Sequence, residues 1–515
     1  MKILFRFYFV AFFLLSIYDS QAQGFKTRYI PVNSTFAHTG CLFESNNGFY
    51  FGAGIYTDTF QNKSVSKIIV NGLNPTGQVQ WTKTYGDSTL QYLANTFTRK
   101  SFHKQGAFIY HSCAILQSNN KYAAAFIKFN LNGDTVWQKI YRDPDTLVLP
   151  VPQMVTSSID GGFLITGFFE SFGANPYRRC LLIKTDANGN ELWRKKIGKS
   201  SPDVSDGRAI IQDSISKQII IVGYQYLPGN KVHENILVLD SLGITLSQNH
   251  HHPNGGVFYD LIQTKDHQFL AVGEHYTGQS FGGSAVSKAY AYKFSATSPG
   301  TPIWKMVDVG PVSLINNFSN VYESNNGELI LGGDLDTTQI LQLPRHTMFR
   351  CVKTNSAGVM LSERLYNYSN STQDYEQVLV SLTPGNNASM LAAFRVYQNN
   401  YNPLFYVKYD ASGCDSSAAH CATLNLVGVP EKAPLSSLPE LVPNPASNDV
   451  WWRHETESFI RYDQVEIYDA LGNKVLSVPK DKPRVSVQHL PNGLYLVKFL
   501  EKDVLLGTKK LIMFR

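Results

Sequence analysis

His250-His251-His252 is the one run of histidines in this chain, and imidazole nitrogens are the commonest protein ligands for metals. The run precedes Pro253-Asn254-Gly255-Gly256 and so reads as a loop, where consecutive side chains do not share a face. A strong metal site is not expected there. Asp334 and Asp336 flank Leu335 in a stretch read as a loop after a strand. They could hold a cation with help from elsewhere, but a solvated loop is the simpler reading. Glu44, Asp160 and Glu323 precede glycine-bearing strands at related positions, where carboxylates could line a channel or work as an acid–base pair. Turn and solvation roles are commoner for such acids. The chain has no Gly-x-Ser-x-Gly elbow, no His-Glu-x-x-His pair and no phosphate-binding glycine loop. No catalytic residue, metal ligand or cofactor is therefore assigned, and the ligand is left unknown.

The six cysteines are too few for a disulfide scaffold in 515 residues. Cys41, Cys113, Cys180 and Cys351 lie in or beside apolar runs and read as buried thiols. Cys414 and Cys421 flank a short polar loop, which suits either a local disulfide or two free thiols. Zinc is disfavoured, because His420 is the one further ligand nearby.

The elements that must carry these residues are strands. Charged residues make up 17% of the chain and aromatics 13%, a balance that fits pleated surfaces better than amphipathic helices. The formal charge of +6 is spread out with no Lys/Arg-rich run, which argues against nucleic-acid binding. A repeat organises the body: Gly77/Trp81, Gly133/Trp137, Gly189/Trp193 and Gly300/Trp304 share a Gly-x-x-x-Trp spacing. Gly243, Gly358 and Gly413 keep the register without the tryptophan, and successive glycines are 56, 56, 54, 57, 58 and 55 residues apart. A fixed period of this length signals stacked units or blades.

Each unit offers four strand-like runs. The third has Gly161–Gly167, then Cys180–Thr185, a hairpin at Asp186-Ala187-Asn188-Gly189-Asn190, and the return Glu191–Ile197. Arg208–Gln212 opens the next unit as its innermost strand. The fold class is thus all-β, a seven-bladed β-propeller followed by a small immunoglobulin-like β-sandwich. Residues 25–32, left over before the first unit, are expected to close the ring by joining the last blade. The repeated tryptophans are expected to pack between blades. The hairpin acids are expected to make turns, since the glycine comes too early for a calcium loop.

Both ends carry targeting features. Lys2 and Arg6 precede an apolar run, and Ser20-Gln21-Ala22 supplies small residues for cleavage, so residues 1–22 read as a secretory signal peptide. Residues 23–429 form the propeller, and residues 430–440 a Pro-rich linker. The last segment, 441–515, contains in order Pro443-Asn444-Pro445, Asp469-Ala470-Leu471-Gly472-Asn473, Leu490-Pro491-Asn492-Gly493-Leu494-Tyr495 and Lys509-Lys510-Leu511-Ile512. That set resembles the type A C-terminal sorting domain of proteins exported by the Bacteroidetes type IX secretion system. The bulky Trp451-Trp452-Arg453-His454 segment departs from the pattern.

The resemblance implies export across both membranes to the cell surface or beyond, with the type IX machinery as partner and the sorting domain removed within the linker. It also implies recognition or folding roles for Pro443, Asn444, Pro445, Gly472, Gly493, Tyr495 and Lys510. No later segment is apolar enough to span a membrane. Two functions from different classes fit the body. One is a non-enzymatic propeller that binds a polysaccharide or protein partner through its loop-bearing face. The other is an extracellular hydrolase or lyase with acids drawn from several blades. Binding is favoured, because the acids scatter rather than cluster; a purely structural surface role stays open.

Overall fold

The computed structural model describes residues 24–416 and 440–513, apart from 32–33, 46–47, 61–62, 94–99, 145–147, 173–176, 199–204, 228–230, 251–253, 282–283, 308–314, 337–346, 369–373, 399–401, 445, 454–462, 470–473, 480–483 and 502–503. The expected signal peptide and most of the linker lie outside the described residues. The chain divides into two compact units, the second taking in Leu426–Arg515.

The first unit holds seven antiparallel sheets, six of four strands and one, in blade 2, of five; all but the last run in sequence order from the inside out. Blade 3 is typical, with Val148–Ser157 innermost, then Phe163–Ser171, Arg178–Thr185 and Glu191–Ile197 at the rim. The inner three strands are almost wholly buried and the rim strand is half-buried to exposed, as expected for sheets stacked on both faces. Inner strands pack blade against neighbouring blade around the whole ring, including the last against the first. In blade 7 the rim strand comes from the start of the chain, where Phe25–Tyr29 pairs antiparallel with Leu404–Tyr409. The expected closure is therefore observed, and it leaves no open end to the ring.

The repeated glycine and tryptophan form a joint between blades. Gly133, Gly189, Gly243 and Gly358 have φ of 82°, 75°, 78° and 80° in their hairpins. A Cβ on each would lie 2.6–2.9 Å from the tryptophan of the preceding blade, namely Trp81, Trp137, Trp193 and Trp304. Glycine is thus required twice, for the turn and for the ring laid over it. Tyr141 and Tyr366 each add a hydrogen bond to the next blade's hairpin carbonyl, at Gly189 (2.7 Å) and Gly413 (2.8 Å). Thr27 does the same to Gly77 across the closure, at 2.5 Å. Blade 5 departs from the pattern: Gly300 lies within the rim strand Ser298–Val307 rather than in a turn.

The hairpins open with Asn74, Asn130, Asp186, Asp240, Asn355 and Asp410, whose side-chain oxygens accept from backbone N–H groups two or four residues on. These Asx turns account for the acidic loops without a cation.

The second unit pairs a three-stranded sheet (Glu440–Val442, Asp449–Arg453, Arg484–Ser486) with a four-stranded one (Lys474–Pro479, Gln464–Tyr468, Gly493–Glu501, Val504–Met513). Its core includes Trp452, Val465, Ile467, Val497, Phe499 and Leu511. Trp452, part of the bulky departure noted above, lies edge-on to Phe499 in that core, while Trp451 stays exposed beside Arg484. Among the described residues no helix is long and apolar enough to cross a membrane.

Candidate functional site

The acids singled out from the sequence do not meet. Glu44, Asp160 and Glu323 sit at the hairpin between first and second strands, on the tight-turn face, and act as fasteners. Glu44 accepts from the Asn386 amide (2.7 Å) and Glu323 from the Lys265 amide (2.7 Å), each joining two blades. Asp160 is ion-paired with Lys184 at 2.5 Å. Asp334 and Asp336 are not in a solvated loop, as expected, but in the strand Leu329–Asp336, and both are buried. Blade stacking extends the strand past its apolar run, and the Asp334 carboxylate accepts the Leu379 amide of the next blade at 2.7 Å. His250 ends the rim strand Thr245–His250, and the rest of that run lies outside the described residues. No cluster of three or more metal-ligating side chains occurs among the described residues. Cys41, Cys113, Cys180 and Cys351 are free and buried, and burial raises the Cys113 and Cys180 thiols well above the usual range.

The chemistry gathers elsewhere, at the opposite face, which bears the turns from second to third strands and the connections from each rim strand to the next inner strand. In blades 3 to 5 that end of the sheets carries a polar network. Arg178 bonds Glu170 (2.8 Å) and the Tyr224 hydroxyl (3.0 Å). Arg208 lies over the Tyr224 ring and is ion-paired with Asp206 at 2.9 Å. In the next blade, Tyr259 and Tyr276 both donate to Oε1 of Glu274, at 2.7 and 3.3 Å. Tyr226, 40% exposed, meets Tyr224 edge to face and continues the aromatic surface outward.

Electrostatics fix the protonation of this network. Burial, reinforced by the Glu274 charge, pushes the Tyr276 hydroxyl far above its usual range. Burial and the Asp206 charge also raise the Tyr224 hydroxyl above its usual value. Burial also raises the Asp206 carboxyl, against the downward pull of Arg208 and Arg178. The tyrosines are thus hydrogen-bond donors at neutral pH, not bases.

A repeated irregularity places these side chains. The inner strand slips by one residue between Thr39/Cys41, Pro152/Met154, Gly207/Ala209, Phe258/Asp260 and Leu379/Ser381. Each slip is a β-bulge, which re-aims the extra residue: Gly40, Gln153, Arg208, Tyr259 and Val380. One residue beyond the bulge, Asp260 of blade 5 binds Lys100 of blade 2 at 2.5 Å, reaching across the ring, while also accepting the Val321 amide at 2.7 Å. Sequence reading missed this network because its members are separated by a blade length each. The signal available was polar Asp206, Arg208 and Glu274 at register positions where other blades carry Val151, Gly40 and Ile55.

In the second unit, Asn444 binds the terminal strand, its amide donating to the Lys510 carbonyl (2.7 Å) and accepting from the Ile512 N–H (2.9 Å). Tyr495 is buried and donates to the Pro491 carbonyl at 2.9 Å. Pro443 precedes the clasp, Gly493 opens its strand, and the Lys510 side chain is exposed between buried Leu511 and half-buried Lys509. Pro445 and Gly472 lie outside the described residues. Cys414 is disulfide-bonded, whereas Cys421 also falls outside them.

No curated protein matches the chain in sequence. Among solved structures it is similar to a protein of unknown function from Bacteroides caccae, with 13% identity and a TM-score of 0.34 over 56% of this chain and 87% of that one. It is also similar to PorZ, a surface component of the type IX secretion system of Porphyromonas gingivalis, with 10% identity and a TM-score of 0.31 over 93% and 70%. A third is the polysaccharide lyase Uly1, with 9% identity and a TM-score of 0.44 over 75% and 92%. Residues 440–513 match the family described as the secretion system C-terminal sorting domain. The chain is therefore an all-β propeller protein whose C-terminal unit is a type IX secretion sorting domain, which implies export to the cell surface or extracellular space.

Proposed function

We propose that the exported propeller is a non-enzymatic binding protein that holds a polysaccharide on its loop-bearing face. The observation that carries this reading is the tyrosine-rich network of blades 3 to 5. Aromatic rings with polar edges suit the alternating C–H faces and hydroxyls of sugars. The same network argues against base-catalysed elimination, because Tyr224 and Tyr276 are held protonated by burial and by neighbouring carboxylates. A protein partner on the same face is the second reading, favoured by the exposed ring of Tyr226.

Export on this reading begins with cleavage after Ala22 and ends with removal of the sorting unit within residues 430–440. The masses of the intracellular and released forms test both cuts. Binding is tested with the full chain and a panel of insoluble polysaccharides, scoring retention and soluble products in the same tubes. Retention without products is expected, with loss of retention in Tyr226→Ala and Tyr259→Ala. New products would make the protein a hydrolase or lyase instead.

A further inference from the structure

The network of blades 3 to 5 continues around the ring axis into side chains left wholly or partly unsatisfied among the described residues. Arg208 contacts Asp206, two residues before it, and holds the bulge position that Tyr259 holds in the next blade. Side chains at the bulge, and two residues before it, therefore face one another across neighbouring blades. Gln153 holds the bulge position in blade 3. Asn317 holds in blade 6 the place of Asp206, since the carbonyls of both stand over the glycine of the adjoining strand, Gly333 and Gly223. Gln153 is 1% exposed and neither end of its amide is hydrogen-bonded among the described residues; Asn317 is 3% exposed and its Oδ1 is likewise unbonded. Buried polar groups without partners are rare and costly, and they gather where a ligand completes them.

Three features define what would complete them. The charges of the network are engaged within it, Arg178 with Glu170, Arg208 with Asp206 and Glu274 with two tyrosine hydroxyls, which suits an uncharged ligand. The unmatched groups are amides, which call for hydroxyls that both donate and accept. The axis is closed on the hairpin side by the Lys100–Asp260 bridge between nearly opposite blades, so a chain cannot thread through. We infer that the loop-side end of the axis seats the uncharged, hydroxyl-rich terminal unit of a glycan, read end-on. The inference rests on the polysaccharide reading above and narrows it to chain ends.

The test is competition. The full chain is bound to an immobilised neutral polysaccharide that retains it, and the same polymer, shortened about tenfold by limited acid hydrolysis, competes at equal mass. End-on reading predicts that shortening multiplies competitor strength about tenfold, in step with the number of ends. Gln153→Leu and Asn317→Leu are expected to weaken retention by about tenfold or more. Gln153→Leu should melt no lower than the parent, because it removes a buried amide unsatisfied at both ends at similar volume, which separates lost retention from lost folding. Competition that follows mass alone, or variants that bind like the parent, would overturn the end-on seat and leave polysaccharide binding standing. Retention on anionic polymers alone would overturn the neutral ligand. Retention on no polysaccharide would overturn both readings.

Discussion

Asn444 is hydrogen-bonded through its side-chain amide to the carbonyl of Lys510, 66 residues later, at 2.7 Å. The same amide accepts from Ile512, and the Ala446 N–H donates to the Ile512 carbonyl at 2.8 Å. A side chain here does the work of a strand backbone, which proline on either side cannot do for lack of an N–H. Two motifs far apart in sequence thus form one clasp at the end of the sorting unit. Asn444→Ala is expected to cost this unit about 1–2 kcal/mol through two lost hydrogen bonds. Asn444→Asp, which keeps the acceptor and loses the donor, should fall between. Resistance of residues 440–513 to limited proteolysis and the fraction of protein exported should fall together, furthest for Asn444→Ala and less for Asn444→Asp. Loss of export without loss of protease resistance would make Asn444 a contact for the machinery rather than a clasp.

Much of this was legible because the determinants are local or periodic. Gly189 must take a positive φ and Trp137 must lie on something flat, so both recur at the blade period and reveal it. The ring closure was legible as well, since residues 25–29 were the strand without a unit. The site was not. Arg208 and Tyr259 acquire their positions from a one-residue bulge, which shifts which face a side chain occupies and leaves no trace in apolar alternation. The Asp334 carboxylate was misplaced for a related reason: a polar residue ending a strand reads as a loop until a neighbouring blade supplies the Leu379 amide.

The joint between blades predicts a coupling. Gly189→Ala forces a Cβ into positive φ and to 2.6 Å from Trp137. Together these should cost about 2–4 kcal/mol. Trp137→Ala removes the obstacle, so the double variant should be less destabilised than the two single losses added together. Denaturant titrations of the four proteins measure the difference. Strict additivity would mean that the tryptophan does not press on the glycine.

Closure by the N-terminal strand predicts a rescue. Arg28 donates to the Tyr368 carbonyl at 2.7 Å and Thr27 to Gly77, tying blade 7 to blades 6 and 1. A chain lacking residues 1–31 should lose its single cooperative melt, because blade 7 then exposes an open edge strand. A synthetic peptide of residues 24–31, added in excess, should restore part of the transition by mass action. A truncated chain that melts like the parent would show that the other blades hold the ring unaided.

The disulfide at Cys414 is expected to pair with Cys421, closing a short loop just after the last hairpin. Non-reducing peptide mapping should show the two in one cross-linked fragment. Reduction should lower stability by about 2–3 kcal/mol, the range for a loop of this size.

Acid sensitivity should arise in blades 1 and 2. Burial holds His111 down to about 3 and His103 to about 4, and burial with the nearby Arg395 charge takes His38 to about 2. All three lie below the unfolded value of 6.5, so between those limits the unfolded chain binds more protons than the folded one. Their stabilising contribution is therefore complete above about pH 6.5 and declines as pH falls, by about 2 kcal/mol per histidine at pH 5. His111, stacked on Phe102 with Nδ1 bonded to the Ser101 carbonyl at 3.1 Å, offers the cleanest test. In His111→Leu the loss of stability from pH 7 to pH 5 should shrink by about 2 kcal/mol relative to the parent, whatever the variant does to stability at pH 7. An unchanged pH dependence in urea melts would mean that His111 takes up a proton without unfolding.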